Sequence, residues 1–158
     1  KCLKGMKLMT ASKEYPLLEK QAKALMIGED DWIANTANLS ALLFNSLENV
    51  NFAGVYRYEN GELILGPFQG KPACIHIALG KGVCGTAAKN EKTEIVKNVH
   101  DFSGHIACDS ASNSEIVVPI FKNDKLWGVF DFDSTENANF GEEDQKYLEK
   151  IASLIFNH

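Results

Sequence analysis

The chain has 158 residues, 45% of them hydrophobic and 23% charged, which suits one globular domain with its own core rather than two. A formal net charge of -5 and the lack of any dense Lys/Arg stripe argue against a nucleic-acid partner, because few cations are left over to neutralise phosphates. Apolar runs such as SALLFNSL and EIVVPIF fall far short of the roughly 20 residues that span a bilayer, so a soluble protein that does not enter the membrane is expected.

The opening KCLKGMKLMTASKEYP lacks the continuous apolar stretch of a signal peptide. Residues 1–14 read as a loose segment, cloning-derived or trimmed, and 15–158 as the domain. Four cysteines are too sparse for a disulfide scaffold, and with no export signal the expected compartment is the cytoplasm, where thiols rest reduced.

In chain order, YPLLEKQAKALMIGEDD predicts a helix that begins after Pro16 and is closed by Gly28. DWIANTANLSALLFNSLENV predicts a second amphipathic helix, with Trp32, Ile33, Leu39, Leu42, Leu43 and Leu47 at mostly helical spacing. The period then changes. NFAGVYRYENGELILGPF predicts a β-hairpin around Asn60-Gly61, two residues that tolerate positive φ. ACIHIAL reads as a strand, KGVCGTAAKN as a short helix and TEIVKNV as a strand, before a polar loop from Val99 to Ser114. EIVVPIFKNDKLWGVFDFDS predicts two strands joined near Asn123-Asp124, and FGEEDQKYLEKIASLIF a final helix with Leu148, Ile151 and Ile155 on one face. Five or six strands joined by hairpins and flanked by helices imply an α+β domain with a mainly antiparallel sheet.

Strand alternation puts Asp131 and Asp133 on one face and Phe130 and Phe132 on the other. Trp127 and Val129 are expected beside the aspartates, giving a pocket wall rather than an open surface. Pairing through the Asn123-Asp124 turn places Glu115 next to the same aspartates. Three crowded carboxylates raise at least one pKa, and a carboxyl kept protonated near neutral pH can donate a proton; the plainer reading is a solvated, charged strand start.

Cys74, Cys84 and Cys108 lie among His76, His100 and His105, but no CxxC or HxxxH pair marks a zinc site. Cys84 in GVCGTA sits in the first turn of a predicted helix, where aligned N–H groups lower a thiol pKa, or is simply a small core residue. Cys74 follows Pro72-Ala73 at a strand start and is open to either reading. Cys108 has only small and polar neighbours, so it is the thiol most suited to approach by a ligand.

The segments GPFQGKPAC, GKGVCGTA, VHDFSGHIACDSASNSEIVVP and GVFDFDST resemble, in that order, the free methionine-(R)-sulfoxide reductases built on a GAF domain, over roughly Asp31 to Ile155. The resemblance implies a single GAF domain, with helices on one face of a central sheet of about six strands and a ligand pocket on the other. It implies that Cys108 attacks the sulfoxide sulfur and becomes a sulfenic acid, that Cys74 resolves it to a disulfide, and that thioredoxin reduces the disulfide. Cys84 would be an alternative redox partner. Closing loops of 34 or 24 residues differs by only about a few tenths of a kcal/mol, so chain length does not choose between them.

Glu115, Asp131 and Asp133 would hold the amino group and the sulfoxide oxygen, with Asp133 or Glu115 as proton donor. Phe52 and Tyr56, four apart on one strand, would enclose the thioether methyl, although family members commonly carry Trp where this chain has Phe52. The resemblance implies no bound cofactor, only an external thiol reductant, and leaves a homodimer as one possible assembly. A noncatalytic GAF sensor that binds a small amino acid, or reports oxidation through its cysteines, is the alternative.

Overall fold

The computed structural model describes residues 11–104 and 111–158, with side chains from Tyr15 onward. The helices are α1 (Ala11–Met26), α2 (Trp32–Ser46), α3 (Gly82–Asn90) and α4 (Glu142–Ser153), with a single 3-10 turn at Val99–Asp101. The strands are β1 (Val50–Glu59), β2 (Glu62–Gly70), β3 (His76–Ala78), β4 (Glu94–Val96), β5 (Ser114–Lys122) and β6 (Lys125–Ser134). They form one sheet in the order β3-β2-β1-β6-β5-β4, with every pair antiparallel. This is the expected α+β architecture. Among the described residues, no helix is long and apolar enough to cross a membrane.

Both expected hairpins close through two residues. Asn60 and Gly61 have φ of 52° and 82° between the Glu59↔Glu62 pair, and Asn123 and Asp124 have φ of 52° and 62° between Lys122 and Lys125. Positive φ at both central positions makes the turn follow the right-handed twist of the strands.

The sheet buries both faces. Ile116, Val118 and Ile120 of β5 and Phe130 and Phe132 of β6 pack with Leu39 and Leu43 of α2 and Leu148 and Ile151 of α4. On the opposite face Val117, Val129, Phe52, Tyr56 and Leu63 pack with Val83 and Cys84 of α3. Asp31 caps α2 by accepting hydrogen bonds from the Ile33 and Ala34 N–H groups at 2.8 and 3.0 Å. At α4, the Asp144 carboxylate accepts the Gly141 N–H at 2.7 Å. Both contacts satisfy N–H groups that a helix start leaves without a partner.

Three expectations need correction. Helix α1 begins at Ala11 and runs through Pro16 rather than starting after it. That close to the helix start the proline removes only one intrahelical bond, the one to the Ser12 carbonyl. The β3 strand is three residues long and leaves Cys74 outside it. Continuing its ladder would bring it against Gly66 and Pro67, where β2 is irregular in its pairing with β1 and Pro67 has no N–H to give.

The third correction concerns Trp127, which does not share a face with the aspartates. It packs on the helix side, against Trp32 and Phe156 at centroid distances of 5.2 and 5.1 Å. The β5–β6 register shifts between Ile120 and Phe121, so that Gly128 pairs with Ile120 but Leu126 pairs with Phe121. One residue is therefore extra on β6, and a bulge of this kind reverses the facing of everything before it. Val129 keeps its expected side.

Candidate active site

The face of the sheet away from α1, α2 and α4 carries a cavity of about 50 Å³. Its floor comes from the neighbouring strands β5 and β6, since Glu115 pairs with Asp133 and Val117 with Asp131. Glu115 and Asp131 are buried, at 8% and 5% exposure, and Asp133 lines the same cavity. The three carboxylates anticipated from alternation and from the Asn123-Asp124 turn do converge.

Helix α3 covers this floor. Its first turn brings the Cys84 thiol to 3.9 Å from Glu115 Oε2, toward which it donates. Burial, with Asp131 and Asp133 as its neighbours, pushes the Glu115 carboxyl well above the ordinary carboxylate range and ties it to both aspartates by hydrogen bonds. Glu115 therefore keeps its proton where an exposed glutamate would have lost it.

The same environment acts on Cys84. Burial first, then Asp131, Glu115 and Asp133, push its thiol well above the ordinary value. Of the two readings the sequence left for Cys84, the small core residue agrees with its burial, and desolvation and crowded anions outweigh the partial positive charge of the helix start. Cys84 is a buried free thiol. Tyr56 is pushed upward as well, by burial and then by Asp131, so it stays a neutral phenol.

Phe52 and Tyr56 share the cavity wall, as expected. The Phe52 ring stacks on Phe68 at 5.4 Å between centroids and 18° between planes, so the aromatic surface is two rings deep at this position. Sequence reasoning did not find Lys71, Lys81 or Ser112, which also line the cavity. Ser112, 5% exposed, accepts a hydrogen bond from Asn51 Nδ2 at 3.2 Å. Nothing local marks these residues, because the turn after β2, the entry to α3 and the approach to β5 bring them in separately.

Cys74 is half-buried against the pocket-side cluster and is disulfide-bonded. Cys108 and His105 lie outside the described residues. Among the described residues before and after them, the Gly104 carbonyl accepts from the Gly82 N–H at 3.1 Å and the Asn113 carbonyl from the Val99 N–H at 2.9 Å.

Cys84, Glu115 and Asp131 offer one ligand atom each within 4.8 Å of one another. Metal ligation would require both the thiol and the Glu115 carboxyl to give up their protons. Their raised pKa values make this set a proton-holding cluster first.

Comparison with known proteins agrees with this arrangement. Residues 36–156 match the family model of the GAF domain. The free methionine-R-sulfoxide reductase of Escherichia coli is 46% identical over 147 residues, covering 93% of this chain and 89% of that protein. The fRMsr of Staphylococcus aureus in complex with substrate superposes with a TM-score of 0.86 at 52% identity, over 89% of this chain and 92% of that one. A second solved structure, free methionine-R-sulfoxide reductase from Neisseria meningitidis in complex with its substrate, gives a TM-score of 0.86 at 40% identity, over 89% of this chain and 85% of that one. The chain belongs to the free methionine-R-sulfoxide reductases, a family of oxidoreductases built on a single GAF domain.

Proposed function

We propose that this chain reduces free methionine-R-sulfoxide to methionine through Cys108, with Cys74 as the resolving thiol and thioredoxin as the external reductant. The observation that carries the reading is the convergence of Glu115, Asp131 and Asp133 in the wall of a small cavity, where burial and the two aspartates push the Glu115 carboxyl well above its ordinary range. A sulfoxide oxygen leaves poorly as an anion, so a carboxyl that still has its proton near neutral pH is the acid the reaction needs. The named activity of the relatives supports the same assignment.

In the proposed cycle the substrate ammonium lies among the carboxylates and its methyl group against Phe52 and Tyr56. Cys108 sulfur attacks the sulfoxide sulfur while Glu115, assisted by Asp133, protonates the oxygen. The oxygen passes to Cys108 as a sulfenic acid and methionine leaves. The Cys74 thiol then displaces water from the sulfenic acid, and a dithiol reduces the resulting disulfide with two electrons.

Crowded anions disfavour a thiolate, so Cys108 reacts sluggishly until the ammonium partly neutralises the cluster. A peptide-bound methionine sulfoxide has an uncharged amide there and would leave the carboxylates without their counter-charge, which gives the restriction to the free amino acid a physical reason. That Cys74 is disulfide-bonded while Cys84 is free and buried favours Cys74 as the resolving thiol.

The test is methionine release from separated R and S sulfoxides with dithiothreitol as reductant. The R form should turn over and the S form should not, Cys108→Ser should be inactive, and Cys74→Ser should complete one turnover and hold a sulfenic acid. Binding of the sulfoxide without turnover would return the chain to the sensor reading, and equal turnover in Cys108→Ser would overturn the Cys108 mechanism as stated.

A further inference from the structure

The reductant has to reach a disulfide beside a pocket lined with carboxylates, and the structure leaves it a route outside that pocket. Cys74 is half-buried and is not among the residues that line the cavity, whereas Lys71, Pro72 and Ala73 just before it are. The disulfide-bonded sulfur of Cys74 thus belongs to the rim. The next residue, Ile75, is 59% exposed, and among the described large hydrophobic residues only Ile27, at 79%, is more so.

A single exposed isoleucine is ordinary on a protein surface. This one is fixed in place, because its carbonyl accepts the Leu65 N–H at 2.9 Å and it leads directly into β3, the edge strand of the sheet. Gln69, Gly70, Lys71 and Pro72 are exposed on the approach to it. The surface therefore offers a rigid apolar anchor one residue from a disulfide sulfur, at a sheet edge, with one lysine nearby. An anchor whose backbone is already held loses little freedom on binding.

We propose that a dithiol oxidoreductase docks on this rim with Ile75 as its apolar anchor and attacks the Cys74 sulfur; this rests on the reductase reading above. The attacking group is a thiolate, which the aspartates at the cavity floor repel and the Lys71 ammonium, on the part of the cavity lining that leads to Cys74, attracts. Its sulfur bonds to Cys74 Sγ, the Cys74 disulfide breaks, and the other sulfur of that disulfide leaves and takes up a proton. The reductant's second thiol then attacks its own half of the mixed disulfide. Cys74 is released as a thiol, and the partner departs oxidised, having given up two electrons.

The experiment compares two reductants, dithiothreitol and a CxxC thioredoxin, on wild type, Ile75→Asp and Ile75→Leu. Loss of an anchor residue at an interface raises KM for the protein reductant by about tenfold. Ile75→Asp should show that rise with its dithiothreitol-supported rate unchanged, and Ile75→Leu should behave as wild type with both. A thioredoxin lacking its second cysteine should be trapped on Cys74, as read by peptide mass. An unchanged thioredoxin KM in Ile75→Asp, or trapping on Cys108, would overturn the proposal. Wild-type protein inert with dithiothreitol as well would overturn the reductase reading and this proposal with it.

Discussion

Glu115→Gln isolates the proton that the carboxylate cluster holds. In the folded chain Glu115 is 8% exposed and pairs with Asp133 across the β5–β6 ladder. Burial, then Asp131 and Asp133, raise its pKa well above the unfolded value, which for a glutamate is about 4.3. Between those two values the folded state binds a proton that the unfolded state has released. Stability from this source is fully present below the unfolded pKa and is lost as pH rises toward the folded one.

One proton corresponds to a slope of about 1.4 kcal/mol per pH unit, or about 4 °C in Tm per pH unit for a chain of this length. Glutamine has nearly the same shape and does not titrate. Chemical or thermal denaturation of both proteins at pH values rising from the unfolded pKa toward the raised one should therefore show Glu115→Gln gaining on wild type with that slope. The same variant lacks the acid, so its kcat should fall by about 100-fold or more, and the activity of wild type should decline as pH rises through the raised pKa. Parallel stability profiles for the two proteins would refute the protonated cluster.

Two further outcomes follow from the packing. Cys84, buried and held as a thiol, should resist iodoacetamide in the folded protein at pH 8 and react readily once unfolded, as read by peptide mass; fast labelling of the native protein would contradict its burial. Gly128 has no room for a side chain, since a Cβ there would lie 2.1 Å from the Tyr56 carbonyl oxygen. Gly128→Ala should cost about 3 kcal/mol in urea denaturation and weaken substrate binding by displacing Tyr56, and an unchanged midpoint would show that the β1–β6 contact is looser than it looks.

The residues that local rules could place were those whose neighbours are set by short-range geometry. A two-residue turn fixes the register of the strands it joins, and side chains then alternate with period two. That is enough to put Glu115, Asp131 and Asp133 together and to send Phe130 and Phe132 to the other side. Phe52 and Tyr56 share a wall for the same reason. The GAF family itself was legible in the motifs around the three cysteines. Trp127 escaped these rules because a single extra residue on β6 reverses its facing, and only the β5–β6 pairing, which shifts between Ile120 and Phe121, shows where that irregularity falls.

The chemical character of the site belongs to the tertiary structure. Cys84 stands 31 residues before Glu115, and it meets the carboxylates only because α3 docks on the sheet. With that docking, a helix-start thiol that its own segment would activate becomes a buried neutral one. Lys71, Lys81 and Ser112 come to the same cavity from three separate turns and loops. The amino-acid sequence alone determined which residue types could do the chemistry and which strand faces carry them, because both depend on neighbours a few positions apart. Which of those groups keep their protons was decided by burial and by charges brought in from distant parts of the chain, and these exist only once the chain is folded.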